Sequence, residues 1–119
     1  MPKRILTVDD EAEICRIIQI FLTAKGFEVR MANSADEALA LIDKEKFDLV
    51  ILDKRMPGTS SLEVARKVRQ GNDTTPVMIL SGSNDEKGMI DKFKDLGCGE
   101  FLIKPVDLEV LLDRVNSLL

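Results

Sequence analysis

Leu49-Val50-Ile51-Leu52-Asp53 puts four apolar residues in unbroken succession and ends them on an acid. A strand with one wet face alternates apolar and polar residues, so an unbroken run points to cover on both faces, as in a parallel sheet between helices. Val77-Met78-Ile79-Leu80 repeats the pattern and runs out at Ser81-Gly82. Asp is unfavourable beside such a run unless a partner or ligand satisfies it, which makes Asp53 the first candidate for chemistry.

Outward from these two runs, further β-rich stretches lie at Arg4 to Val8, Glu28 to Ala32 and Glu100 to Ile103, each followed by a helical pattern. After the first stretch, Ile14, Ile17, Ile18, Phe21 and Leu22 recur at helical spacing and Gly26 supplies a stop, so a helix is predicted from about Glu11 to Lys25. Ser34/Glu37, Ser60/Glu63 and Ser83/Glu86 are capping-box candidates for three later helices. The fourth helix is placed near Asp85 to Asp95 with Gly88 inside it, at a cost of about 1 kcal/mol relative to Ala, and is expected to be the loosest element. Five strands alternating with five helices over short loops predict an α/β domain: a doubly wound (βα)5 parallel sheet with helices on both faces and right-handed crossovers.

The 119 residues fit one domain, expected to span 1–119, with a core that needs no disulfide or metal staple. No signal-peptide pattern or apolar stretch of membrane-spanning length occurs, so the protein is expected to be cytoplasmic with no membrane partner. A net charge of −4 argues against direct nucleic-acid contact, because phosphate backbones reward a basic stripe. Cys15 and Cys98 lack CxxC or Cys/His spacing and read as small buried thiols. There is no His, which removes Ser/His and Cys/His catalysis and the commonest zinc ligand. Carboxylates, lysines and hydroxyls must therefore carry any chemistry.

In open sheets of this type, ligands sit outside the carboxyl ends of the strands. The residues there are Asp9-Asp10, Asp53, Ser81-Gly82 and Lys104-Pro105, so three acids, a hydroxyl and a lysine share one rim. Two carboxylates about 5 Å apart repel by about 3 kcal/mol at an effective dielectric near 20, and a divalent cation relieves this. Oxygen donors without His or thiolate suit Mg²⁺ or Mn²⁺ and disfavour zinc. Taken singly, Asp9 or Asp10 also reads as a helix cap, Lys104 as a solvated rim charge and Phe101 as core packing.

Val8-Asp9-Asp10, Leu52-Asp53 followed by Met56-Pro57-Gly58, Leu80-Ser81-Gly82, and Phe101 three residues before Lys104-Pro105 together resemble the response-regulator receiver domains of two-component phosphorelays, over essentially the whole chain. The resemblance implies the flavodoxin-like, CheY-like three-layer sandwich with strand order 2-1-3-4-5. It implies that Asp53 takes a phosphoryl group from the phosphohistidine of a sensor histidine kinase or a histidine phosphotransfer protein. Asp10, Asp53 and the backbone carbonyl of Arg55 would ligate Mg²⁺, and Asp9 would hold the metal's water. Lys104 would bind a phosphoryl oxygen, and Ser81 another once phosphorylation occurs. Ser81 and Phe101 would switch the face made by the fourth helix, the fifth strand and the fifth helix toward a downstream effector, Arg55 and Ser83 would tune hydrolysis, and the Lys104-Pro105 bond would be cis. The expected product is a self-phosphorylating, slowly self-dephosphorylating switch, not a turnover enzyme, acting as a monomer or a phosphorylation-promoted homodimer.

One departure stands out: the family usually has Gly where this chain has Ser61, which bears on the geometry of the loop after Asp53. Three other readings compete. A haloacid-dehalogenase-type phosphatase needs a second Asp two residues after the nucleophile, where this chain has Arg55, and a cap domain for which 119 residues leave no room. A flavodoxin-type cofactor binder needs a Gly-, Ser- or Thr-rich phosphate loop where Asp9-Asp10-Glu11 stand. A phosphorylation-independent, receiver-like docking module is the remaining alternative. The chain fits either a stand-alone regulator or the receiver of a longer one.

Overall fold

The computed structural model describes residues 2–54, 56, 60–71, 74–82 and 88–119, with residue 60 described for its backbone alone. Its elements run β1 (Arg4–Val8), α1 (Ala12–Ala24), β2 (Glu28–Ala32), α2 (Ala35–Lys44), β3 (Leu49–Asp53), α3 (Ser60–Gly71), β4 (Val77–Ser81), α4 (Met89–Asp95), β5 (Glu100–Ile103) and α5 (Leu108–Leu118). All strands pair in parallel, in the order β2-β1-β3-β4-β5, with β3 between β1 and β4.

The unbroken apolar runs follow from this position. Successive residues of a strand point to opposite faces. Val50 and Leu52 join Val77 and Ile79 in a core closed by Ala38 of α2, Leu62, Ala65 and Val68 of α3, and Phe93 of α4. Leu49 and Ile51 join Met78 and Leu80 in a second core closed by Ile18 and Leu22 of α1 and Leu111 and Val115 of α5. Each fully buried aliphatic side chain contributes roughly 1.5–3 kcal/mol, so a charged substitution at Ile51 would be among the most damaging single changes. The two thiols are both free and buried, as expected.

The ends of the elements show local chemistry at work. Gly26, at φ 98°, donates its N–H to the Thr23 carbonyl at 3.1 Å and turns the chain out of α1 in a left-handed conformation that favours glycine. Ser34 Oγ accepts from Glu37 N at 3.1 Å while Glu37 Oε2 accepts from Asn33 N at 2.9 Å, one residue before the cap. In α5 the cap is Asp107, which accepts from the N–H groups of Glu109 and Val110. Ser60 is the first residue of α3 rather than its flank, and its side chain lies outside the described residues, as does the Ser83/Glu86 pair.

Expectation and structure part at α4. The sequence reading puts Gly88 inside a helix from 85 to 95, but α4 begins at Met89, with Gly88 just before it at φ 66°. A positive φ is incompatible with the interior of a right-handed helix, so Gly88 serves as an entry point and costs α4 nothing. The C-terminal end of α4 is held from α3 by Arg69. Its guanidinium donates to the carbonyls of Leu96 (2.6 Å), Thr75 (2.6 Å) and Gly97 (3.3 Å). Gly97, at φ 77°, lies so close that a Cβ there would stand 3.3 Å from Arg69 Nε.

Candidate functional site: an acidic cluster crossed by a lysine

Asp53 closes β3 and Ser81 closes β4; both belong to their strands, one residue beyond where the apolar runs end. Asp53 pairs in register with Leu80, and Lys54 N donates to the Leu80 carbonyl at 2.8 Å, so the ends of β3 and β4 are locked side by side. Lys104 follows β5 directly and donates its own N–H to the Ser81 carbonyl at 2.8 Å. The Lys104-Pro105 peptide is cis. Asp9 follows β1, donating its N–H to the Ala32 carbonyl at 3.1 Å and accepting from Asn33 Nδ2 at 3.1 Å on its own carbonyl.

These backbones bring three carboxylates together. One oxygen each of Asp9, Asp10 and Asp53 lies within 4.8 Å of the others. Asp9 and Asp53 are buried at 1% and 3% exposure, whereas Asp10 is exposed. Asp9 Oδ1 accepts from Glu11 N at 2.9 Å, and α1 has no side-chain cap, so neither acid serves as the helix cap that each reads as singly. Lys104 Nζ reaches into the cluster, 3.1 Å from Asp9 Oδ2 and 3.2 Å from Asp53 Oδ1, with Glu11 Oε1 at 3.9 Å. Burial works against the Lys104 charge, yet the carboxylates of Asp53 and Asp9 outweigh it and raise its pKa above the ordinary lysine value.

Three carboxylates against one ammonium leave a formal charge of −2 in a pocket of oxygen donors. That balance and donor set fit a divalent cation that prefers oxygen.

Ser81 is buried at the same rim. Phe101, in register with Ile79, is partly buried against the α3/α4 core, so core packing accounts for part of its surface. Arg55 and Ser83 lie outside the described residues. Three further residues touch the site. Asn33 and Glu11 hold Asp9, and Ser61, buried at 1% exposure, donates its hydroxyl to the Asp53 carbonyl at 2.6 Å. Ser61 stands out in the sequence as a departure from the receiver pattern, whereas Asn33 and Glu11 are lone polar residues with too many ordinary uses to be singled out.

Residues 5–116 match the model of the response regulator receiver domain, and the chain belongs to that family, the phospho-accepting module of two-component signalling. It is 34% identical over 116 residues to the transcriptional regulatory protein ResD of Bacillus subtilis, covering 98% of this chain and 48% of ResD. It is 37% identical over 119 residues to the regulatory protein VanR of Enterococcus faecium, covering 98% of this chain and 50% of VanR. The chain thus spans about half the length of the curated relatives it matches.

Among solved structures, a CheY-like response regulator receiver domain protein of Methanospirillum hungatei superposes with a TM-score of 0.91 at 27% identity, covering 98% of this chain and 93% of that one. The chemotaxis protein CheY4 of Vibrio cholerae superposes with a TM-score of 0.90 at 30% identity, over the whole of both chains. Among the described residues no helix is long and apolar enough to cross a membrane.

Proposed function

We propose that Asp53 is the residue that accepts the phosphoryl group, with Lys104 as its charge partner. The observation that carries this reading is the placement of Lys104 Nζ, 3.2 Å from Asp53 Oδ1 at the mouth of the three-acid cluster. In the reaction an Asp53 carboxylate oxygen attacks the phosphorus of a phosphohistidine. The new P–O bond forms as the P–N bond breaks, and the leaving imidazole keeps the electron pair and takes up a proton. An anion attacking an anionic phosphoryl group needs positive charge on the oxygens that crowd together, and Lys104 supplies one such charge. Asp9, Asp10 and Asp53, with the backbone carbonyl of Arg55, would hold Mg²⁺ or Mn²⁺, which when bound supplies further positive charge to those oxygens. Ser81 takes a phosphoryl oxygen in the product, and Phe101 responds to its movement; Arg55 and Ser83 tune hydrolysis.

Water attack on the acyl phosphate resets the site, so the protein is a self-phosphorylating, slowly self-resetting switch and no turnover enzyme. Its donor is a sensor histidine kinase or a histidine phosphotransfer protein, its reader a downstream effector, and its compartment the cytoplasm. Support for these partners comes from the regulators the chain resembles over half their length. The test is incubation with Mg²⁺ and acetyl phosphate followed by intact-mass measurement. The wild type gains one phosphoryl group and Asp53→Asn gains none; an unmodified wild type, or an equally modified variant, refutes the assignment.

A further inference from the structure

Ser61, the departure noted in the sequence, has a side chain that is not idle. It is buried in the first turn of α3, and its hydroxyl donates to the main-chain carbonyl of Asp53 at 2.6 Å. The acceptor belongs to the very residue whose carboxylate meets Lys104. The geometry points to Ser61 as a positioning residue for phosphoryl transfer: by tying the Asp53 backbone to the start of α3, it fixes the direction from which the carboxylate attacks. This rests on Asp53 being the phospho-acceptor.

The physical grounds are twofold. In-line transfer depends on placing the nucleophile to within a fraction of an ångström, and small displacements of the attacking atom cost rate steeply. Asp53 is the last residue of β3. Its Cα is held on one side by pairing with β4, where Lys54 N meets the Leu80 carbonyl, while its carboxylate is drawn toward Lys104, the ammonium that also meets Asp9. The Ser61 bond acts on a third point of the same residue, from a helix that the sheet pairing does not control. Glycine, lacking a side chain, can make no such bond, so this restraint belongs to this chain's own sequence.

The experiment follows phosphoryl gain from acetyl phosphate at saturating Mg²⁺, by intact mass against time, well below the melting transition of each variant. Ser61→Ala and Ser61→Gly are expected to lower the rate constant roughly fivefold, the effect of about one neutral hydrogen bond. Ser61→Thr, which keeps the hydroxyl, is expected to return the rate toward wild type. Arg69→Ala serves as the control, because it removes bonds near the other end of α3, away from the acidic cluster, and lowers stability with no change in rate. If Ser61→Ala does not fold, Ser61→Gly decides. Folded Ala and Gly variants at the wild-type rate overturn the inference, as does a folded Ser61→Thr as slow as Ser61→Ala, or an Arg69→Ala slowed to the same extent; each leaves Asp53 as the acceptor. A wild type that takes no phosphoryl group overturns the acceptor assignment and this inference with it.

Discussion

The ammonium of Lys104 stands 3.2 Å from the carboxylate of Asp53, although the two residues lie on different strand ends separated by β4. The same nitrogen is 3.1 Å from Asp9 Oδ2, so one cation spans two buried acids. Lys104 is thus placed to compete with a divalent cation for these acids and, under the proposed function, to partner a phosphoryl oxygen.

Lys104→Met therefore separates the two roles. With the competing charge gone, Mg²⁺ should bind roughly three- to tenfold more tightly, as read by calorimetric titration. Phosphorylation by acetyl phosphate should nonetheless slow by roughly a hundredfold, the usual effect of deleting a preorganised charge partner at a reacting oxygen. Unchanged Mg²⁺ affinity and an unchanged rate would show that Lys104 does neither.

Arg69 holds three carbonyls from α3, two of them at the end of α4. Arg69→Ala should cost roughly 2 kcal/mol, and thermal unfolding should shift down by roughly 8 °C. Arg69→Lys should recover less than half of that, because an ammonium lacks the planar fork that reaches several acceptors together. Full recovery by Lys would reduce the contact to simple charge.

A pH effect is expected at the opposite end of the sheet. Glu45 accepts a close contact from Arg4 Nη2 and lies 3.3 Å from Arg30 Nε. Desolvation is the largest single influence and opposes the charge, but the two guanidinium groups together outweigh it and hold the carboxyl below its ordinary value of 4.5. A depressed carboxyl stabilises the fold above the unfolded-state value and loses that contribution as pH falls through the folded value. The difference in melting temperature between wild type and Glu45→Gln should thus be present at neutral pH and vanish in acid below that range. A difference independent of pH would assign the effect to packing.

Burial pushes the thiols of both Cys15 and Cys98 above their ordinary value of 9.0. Neither should react with a disulfide reagent in the native state, and both should react at the rate of global or local opening, so modification should accelerate with urea. Because the folded thiols resist ionisation while the unfolded ones release protons from about pH 9.0, stability should decline as pH rises past that value. Prompt labelling without denaturant would mean that one thiol reaches solvent in the folded protein.

Several of these features are legible without coordinates. The runs at 49–52 and 77–80 declare strands covered on both faces, and the structure places them side by side between two cores. Gly26 ends α1 and Ser34 caps α2 where the residue types predict. Gly88 misleads, because glycine marks both a weak helix interior and a left-handed entry, and only the dihedral angle tells them apart.

By itself the sequence determines what neighbours along the chain decide: strand and helix periodicity, caps and stops, and the presence of acids, a hydroxyl and a lysine at strand ends. Those depend on alternation, helical spacing and local hydrogen bonds, whose partners are only a few residues away. The tertiary structure alone decides that Lys104 Nζ lands between Asp9 and Asp53, that Ser61 bonds the Asp53 carbonyl, and that Arg69 grips the end of α4. Those contacts join separate elements: parallel pairing puts the carboxyl ends of all five strands on a common edge, where the lysine, the acids and Ser61 meet, and packing α3 beside α4 brings Arg69 to its carbonyls.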